Sequence, residues 1–393
     1  MIIKNISLKN YRNIIDAEIE FASGINIMLG ENANGKTNAV EAAYQFAHGK
    51  SFRTKNNAEI INFEHNFSEV NLEFISEKSE KTGKINKMAI RLSRDKLKRL
   101  EYNGVLLKKV SEFIGNFRAV LFTPDHLGLV KGNPENRRKF IDTAISQIKP
   151  VYLSYISDYE RVLIQRNHLL KSIKEKGQTK ENLAQFYIWT KKLVRYCAII
   201  TRYRGEYIER IKEFAPEFYA GLSSGREDIA FSYISHINSD NGNENDENME
   251  NREFSGYGNF EECENLYDKI FAEKNKAELL SGTTLYGVHR DDLHIEIDGR
   301  AARGVASQGQ QRSAVLALKL AEGNIAKVAH GEYPAFLFDD ILSELDKTRQ
   351  DFILKNLRDR QVIITCCNAE LVKDIDAAKT IEVRNGEFYE CLL

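Results

Sequence analysis

Residues Gly30-Glu31-Asn32-Ala33-Asn34-Gly35-Lys36-Thr37 decide the fold. The octapeptide has the form G-x-x-x-x-G-K-[ST]. Its glycines let the backbone curl until successive N–H groups face phosphate oxygens, its lysine reaches the β- and γ-phosphates, and its hydroxyl ligates Mg²⁺. The apolar run Ile25-Asn26-Ile27-Met28-Leu29 ends on Gly30 and reads as a buried strand. From Lys36 to about His48 there is no Pro or Gly, and Val40, Ala43, Tyr44 and Ala47 recur at helical spacing. A helix therefore follows the loop and brings its N-terminal dipole to the same point. At average residue usage the pattern arises by chance in roughly one chain of this length in a hundred. The competing reading is a glycine turn that merely caps a helix.

A phosphate loop of this kind needs a Mg²⁺ carboxylate on another strand. Phe336-Leu337-Phe338-Asp339-Asp340 offers one: the apolar run buries the strand and Asp339 emerges at its carboxyl end. Asp340 then falls beside the γ-phosphate, as base for the attacking water or as its positioner; alternatively the two acids only cap a helix. Ser307-Gln308-Gly309-Gln310-Gln311-Arg312 precedes a long helix and makes a second anion site. One γ-phosphate does not need two such sites from one subunit. Either this loop closes over ATP held by a second copy, or it is a plain N-cap.

The 393 residues carry 56 Lys+Arg against 57 Asp+Glu, a net charge of −1, which excludes a globally basic DNA-coating protein. Basic charge is local instead. Residues 78–109 hold eleven Lys or Arg against Glu80, Asp95 and Glu101, either a solvated hairpin face or a phosphate-tracking surface. Lys131, Arg137 and Arg138 are open to the same two readings. No run approaches the roughly 18 apolar residues of a membrane span. The N-terminus reads as a strand, and the five cysteines contain no Cys-x-x-Cys. A cytoplasmic protein with reduced thiols and no membrane partner is expected.

Ile2, Ile6 and Leu8 suggest a first strand, and residues 151–215 are helical, with Phe186, Trp189, Leu193, Cys197, Ile200, Arg204, Tyr207 and Ile211 on one apolar face, its Trp and Tyr read as core, and Pro216 closing the segment. Residues 238–265 contain eight Asn and nine Asp or Glu with only Arg252 basic, and read as a solvated, disordered insertion. Ala335–Phe338 and Val362–Thr365 are buried strands with a helix between them. Strand–helix–strand order argues for a parallel α/β core at both ends of the chain. The expected division is a discontinuous head, 1–148 and 283–393, around a mainly helical lobe, 149–282.

The ordered set of motifs resembles the ABC-type ATPase heads of genome-maintenance proteins, and most closely the RecF family. The resemblance is carried by Leu8–Asn13, the phosphate loop, Asn38–Ala42, Gly49–Arg53, Pro124–Asp142, Gly287–Asp292 and Leu337–Arg349. Departures are Asn133 for a usual Ser or Gly, Val288 for Pro and Phe352 for Leu. The resemblance implies an ABC-type P-loop head with an inserted helical lobe. It also implies an ATP- and Mg²⁺-dependent protein that dimerises on ATP, hydrolyses it slowly, binds single- and double-stranded DNA at gaps, and works with RecO and RecR. It places Arg12 and Asn13 near the nucleotide, Ser307 and Gln310 across the dimer, Asp346 beside the partner's site, and Thr365 where ABC transporters carry a switch histidine. A longer SMC-like head would need coiled-coil heptads between Thr37 and Ser307, and none is present. A transporter ATPase would want a shorter interval, and usually Glu at position 340.

Overall fold

The computed structural model describes residues 1–95, 97–235 and 260–391. They form two compact units: Met1–Leu127, Glu217–Arg226 and Arg312–Leu393 in one, Gly128–Pro216 and Glu227–Gln311 in the other. The first unit draws on both ends of the chain. The second is wider than the 149–282 lobe read from the sequence. Buried ion pairing accounts for part of the extra width: Arg137, in the helix Pro134–Ile148, makes two bonds of 2.6 and 2.7 Å to Asp292 on the strand Asp292–Ile297.

Two six-stranded sheets build the first unit. One is antiparallel, in the order Ile14–Glu20, Ile2–Tyr11, Phe67–Ile75, Asn86–Ser93, Lys98–Tyr102, Val105–Leu107. Its first strand buries Ile3, Ile6 and Leu8, where strict alternation from Ile6 and Leu8 would choose Ile2. A register shift between Ile3 and Asn5 swings Ile3 inward. The other sheet runs Glu387–Cys391, Lys379–Arg384, Ile25–Leu29, Val362–Cys366, Ala335–Asp339, Ala119–Phe122, parallel except for the edge strand Glu387–Cys391. Ile25–Leu29, Val362–Cys366, Ala335–Asp339 and Ala119–Phe122 are buried along almost their whole length, as unbroken apolar runs in parallel sheets demand. In register, Thr365 lies opposite Met28 on one side and Asp339 on the other. The carboxyl ends of three neighbouring strands therefore carry the phosphate loop, Thr365 and Asp339.

The second unit holds long helices and a three-stranded antiparallel sheet, Arg300–Ala301, Asp292–Ile297, Ile229–Ile234. Helix Lys180–Ser223 does not stop at Pro216. Phe218, Tyr219 and Leu222 are buried beyond it, and their burial outweighs the hydrogen bond a proline removes. The ring of Phe352, larger than the usual Leu, is accommodated by Gly221, where an added Cβ would lie 2.0 Å from a ring atom. Of the expected insertion, 238–259 lies outside the described residues, while 260–265 begins the helix Phe260–Ser281 and buries Cys263. Among the described residues no helix is long and apolar enough to cross a membrane.

Much of the basic charge read in the sequence is spent internally. Lys87 pairs with Glu73 at 2.6 Å, and Arg91 with Glu69 at 3.2 Å and with Glu101. Lys98 turns its ammonium onto the Gly49 carbonyl; burial, with Lys50 adding, lowers its pKa to about 8. Lys96 lies outside the described residues. Arg137 is buried on Asp292, so it is not a surface charge, while the half-buried Arg138 donates to the Asp291 carbonyl at 2.7 Å.

Candidate functional site

The strand Ile25–Leu29 delivers the chain to Gly30, whose φ of 157° and close packing exclude a side chain: an added Cβ would lie 2.2 Å from the Val383 carbonyl oxygen. Ala33 and Gly35 also take positive φ, 68° and 113°, so the loop curls back before the helix Lys36–His48 begins. Its shape is held from outside. Asn34 donates to the Val383 carbonyl at 3.2 Å and its own carbonyl accepts from the Gly386 N–H at 2.8 Å, while Asn13 donates to the Ala33 carbonyl at 2.9 Å. Lys36 lies within the curl, its ammonium donating to the carbonyls of Gly30 and Glu31 at 2.6 and 2.8 Å.

Thr37 donates to Asp339 Oδ1 at 2.8 Å, across 302 residues of sequence. The same oxygen accepts from Thr365 at 2.9 Å, and the Thr365 hydroxyl in turn accepts from the Asp340 N–H at 2.9 Å. Asp339 is buried, and desolvation is the main cause that raises its pKa; the Thr37 and Thr365 hydroxyls pull the other way. A buried carboxylate whose bonds come from two neutral hydroxyls is a group that a cation would stabilise, so the residues fit Mg²⁺. Asp340 adopts φ 54°, unusual for a residue with a side chain, and Ser343 donates to its carbonyl at 2.8 Å.

Arg12 and Asn13 reach the same place from the end of the first strand. Arg12 makes a two-pronged pair with Glu41 at 2.8 and 2.6 Å and donates to the Glu59 carbonyl. Burial alone would weaken its charge, but the Glu41 bond and field outweigh it and raise its pKa. Asn38 donates to Asn13 Oδ1 and accepts from Arg53, both at 2.7 Å. Glu41, fully buried, also accepts from Ser51 and lies 3.5 Å from Arg53. These groups border a cleft of about 620 Å³, lined by Asn32, Ala33, Gly35, Lys36 and Thr37 of the loop together with Arg12, Asn13, Asp340 and Thr365. The loop, the strand-end acids and Arg12–Asn13 are thus brought together around one cleft. Asn38, Glu41 and Arg53 were not singled out as site residues, although two of the motif blocks contain them.

Ser307 and Gln310 belong to the second unit. Ser307 Oγ accepts from the Gln310 N–H at 3.3 Å and Gln310 Oε1 accepts from the Ser307 N–H at 2.7 Å, a reciprocal cap on the helix Gln308–His330. Gln310 also donates to Glu227 at 2.9 Å. Asp346 caps the helix Lys347–Asn356, accepting from the Arg349 N–H at 3.0 Å.

The family model of the RecF/RecN/SMC N-terminal domain matches residues 2–388. The chain is 36% identical over 389 residues to the DNA replication and repair protein RecF of Bacillus cereus strain B4264, covering 98% of each chain. The chain belongs to the RecF family. RecF of Bacillus mycoides strain KBAB4 is 36% identical over the same length. The structure of the recombination mediator protein RecF-ATP in the RecFOR pathway superposes with a TM-score of 0.85 at 29% identity, covering all of this chain and 98% of that one. The Smc head domain of Pyrococcus furiosus, 18% identical with a TM-score of 0.55, shares the fold. The fold of this RecF-family chain is therefore that of an ABC-type ATPase head, with the P-loop cleft at the strand ends.

Proposed function

We propose that this RecF-family chain is a nucleotide-switched DNA-binding protein of recombinational repair and replication-fork maintenance. It binds ATP with Mg²⁺ in the cleft, pairs with a second copy while ATP is bound, and hydrolyses the nucleotide slowly. The observation that carries this reading is the bonded series Thr37–Asp339–Thr365–Asp340 at the mouth of the P-loop. Residues far apart in sequence converge there on one point beside Lys36. The relatives' names, which place RecF in replication and repair and in complex with ATP, support it.

Lys36 and the loop N–H groups neutralise the phosphates, and Thr37 and Asp339 would hold Mg²⁺, which supplies further charge neutralisation when bound. Asp340, its backbone fixed by Thr365 and Ser343, orients the attacking water or takes its proton. Ser307 and Gln310 present a capped helix N-terminus to the partner's γ-phosphate, and Asp346 lies beside the partner's site. RecO and RecR are the expected protein partners. Single- and double-stranded DNA would meet the exposed cations of the basic hairpin, Arg99, Lys108 and Lys109.

Fluorescence-anisotropy titrations of gapped and duplex DNA at several salt concentrations, in ATP and in ADP, test the reading. Binding should need ATP and ignore base sequence. Replacing Arg99, Lys108 and Lys109 together by Ala should lower the log–log salt slope by up to about 3. Equal affinity in both nucleotides would defeat the switch.

A further inference from the structure

We propose that one outward stripe of the helix Lys180–Ser223 is a track for single-stranded DNA, on which Trp189, Tyr196 and Tyr203 stack bases while Lys192, Arg195 and Arg202 meet phosphates. The assignment rests on reading the chain as a DNA-binding protein and adds a surface remote in sequence from the basic hairpin.

Charge along this helix is one-sided. Between Glu181 and Glu206 the 24 residues 182–205 hold five Lys or Arg and no Asp or Glu. Two of the five are spent. Arg204 is buried on Asp142, and Lys191 bonds Asp268 of the helix Phe260–Ser281 at 2.8 Å. Lys192, Arg195 and Arg202 remain exposed. Arg202 pairs with Glu206 at 2.9 Å, with both side chains open to water, and such a pair is weak enough to yield to a phosphate.

The aromatics share that side. At 3.6 residues per turn, Trp189, Lys192, Arg195, Tyr196, Arg202 and Tyr203 fall within an arc of about 140°. The adjoining face carries the core residues Phe186, Leu193, Cys197, Ile200, Tyr207 and Ile211, all buried. The core reading therefore holds for Tyr207, whereas Trp189, Tyr196 and Tyr203 are only half-buried. Half burial of a Tyr or Trp is ordinary, so spacing and charge have to decide. The three rings recur every seven residues, about 10.5 Å apart along the axis. That is the rise of about three nucleotides of a stacked strand.

Each ring has its setting. Lys192 Nζ stands 4.7 Å from the Trp189 ring centre, which puts a cation beside a stacking face. Tyr155, half-buried on the helix Val151–Lys176, lies 6.2 Å from Tyr203 and widens the platform there. Tyr196 donates to Asp158 at 3.4 Å, and Arg161 pairs with that carboxylate and offsets its charge. Aromatic faces interleaved with cations bind single strands without sequence preference. A duplex keeps its bases paired inside and offers the rings no face to stack on.

Trp189 is the single tryptophan of the chain, so its emission reports this stripe directly. The test is a fluorescence titration of the full chain, in ATP and Mg²⁺ at several salt concentrations, with oligo(dT) and with a blunt duplex. Oligo(dT) should quench Trp189 and the duplex should not. Lys192→Ala/Arg195→Ala, which changes only exposed side chains, should lower the log–log salt slope for oligo(dT) by up to about 1.4. Tyr196→Ala should weaken oligo(dT) binding roughly tenfold, the scale of one base stack, and Tyr196→Phe should restore it. Duplex affinity should stay within about twofold throughout.

Oligo(dT) binding that leaves Trp189 emission unchanged, or that keeps its slope in Lys192→Ala/Arg195→Ala, would overturn the track and leave the DNA-binding reading standing. A wild-type protein that binds neither oligo(dT) nor duplex in ATP would overturn both. Emission that responds to RecR or RecO but not to oligo(dT) would assign the stripe to a protein partner and refute the track.

Discussion

Glu41→Gln is the substitution whose effect the structure fixes most tightly. Glu41 is fully buried in the helix that follows the P-loop, and it holds Arg12 through bonds of 2.8 and 2.6 Å. Glutamine keeps the shape and one acceptor but removes the charge and the second acceptor. A hydrogen bond to a charged group contributes about 1.5–3 kcal/mol, a neutral one about 1. The Arg12 side chain is 18% exposed and that of Arg53 42%, so solvent recovers part of the loss. The net cost is about 2–3 kcal/mol, below the full cost of breaking a wholly buried pair.

The single tryptophan, Trp189, lies in the second unit, so its fluorescence follows the wrong part of the molecule. Amide hydrogen exchange of the helix Lys36–His48 is the suitable assay. Exchange there should accelerate roughly 30- to 150-fold. The double variant Arg12→Gln/Glu41→Gln should fall short of additivity by at least about 1 kcal/mol. Exchange within twofold of wild type, or additive effects, would refute the argument that Glu41 anchors the Arg12 side of the cleft.

Asp340→Asn keeps the shape of a group whose backbone is fixed by Thr365 and Ser343, so ATP binding should persist while steady-state turnover falls at least tenfold; unchanged turnover would assign the water to another residue. Lys98 has its folded pKa depressed to about 8 from an unfolded value near 10.4. Its contribution is fully present above the unfolded pKa and is lost as pH falls through the folded one. Wild-type stability should therefore decline, relative to Lys98→Met, between about pH 10.4 and pH 8. Parallel melting curves for the two proteins across that window would contradict the inward placement of Lys98.

What the sequence made legible was whatever is written in consecutive residues. The P-loop, its strand and helix, and the strand ending in Asp339 are local patterns, and the structure joins them where the chemistry requires. Partnership between distant residues was not legible. Glu41 carries no sign in the sequence of its partners Arg12, Ser51 and Arg53. The basic hairpin shows its charges in sequence but not its register, and the register sets Lys87 opposite Glu73 and Arg91 opposite Glu69. Arg137 and Arg138 went the same way, into bonds with residues more than 150 positions on. Residues 260–265 were absorbed into an Asn-rich window whose composition masks the helical spacing of Cys263, Tyr267, Ile270 and Phe271, all buried.

The proposed switch assembles two copies on ATP. Light scattering coupled to size exclusion, with Mg²⁺ and either ATP or ADP, measures it directly, and Ser307→Arg is the matched control. The expected mass is twice the 45.0 kDa monomer in ATP and that of the monomer in ADP, with Ser307→Arg binding ATP yet remaining monomeric. A wild-type protein of the same mass in both nucleotides, or a Ser307→Arg variant that still pairs on ATP, would contradict it.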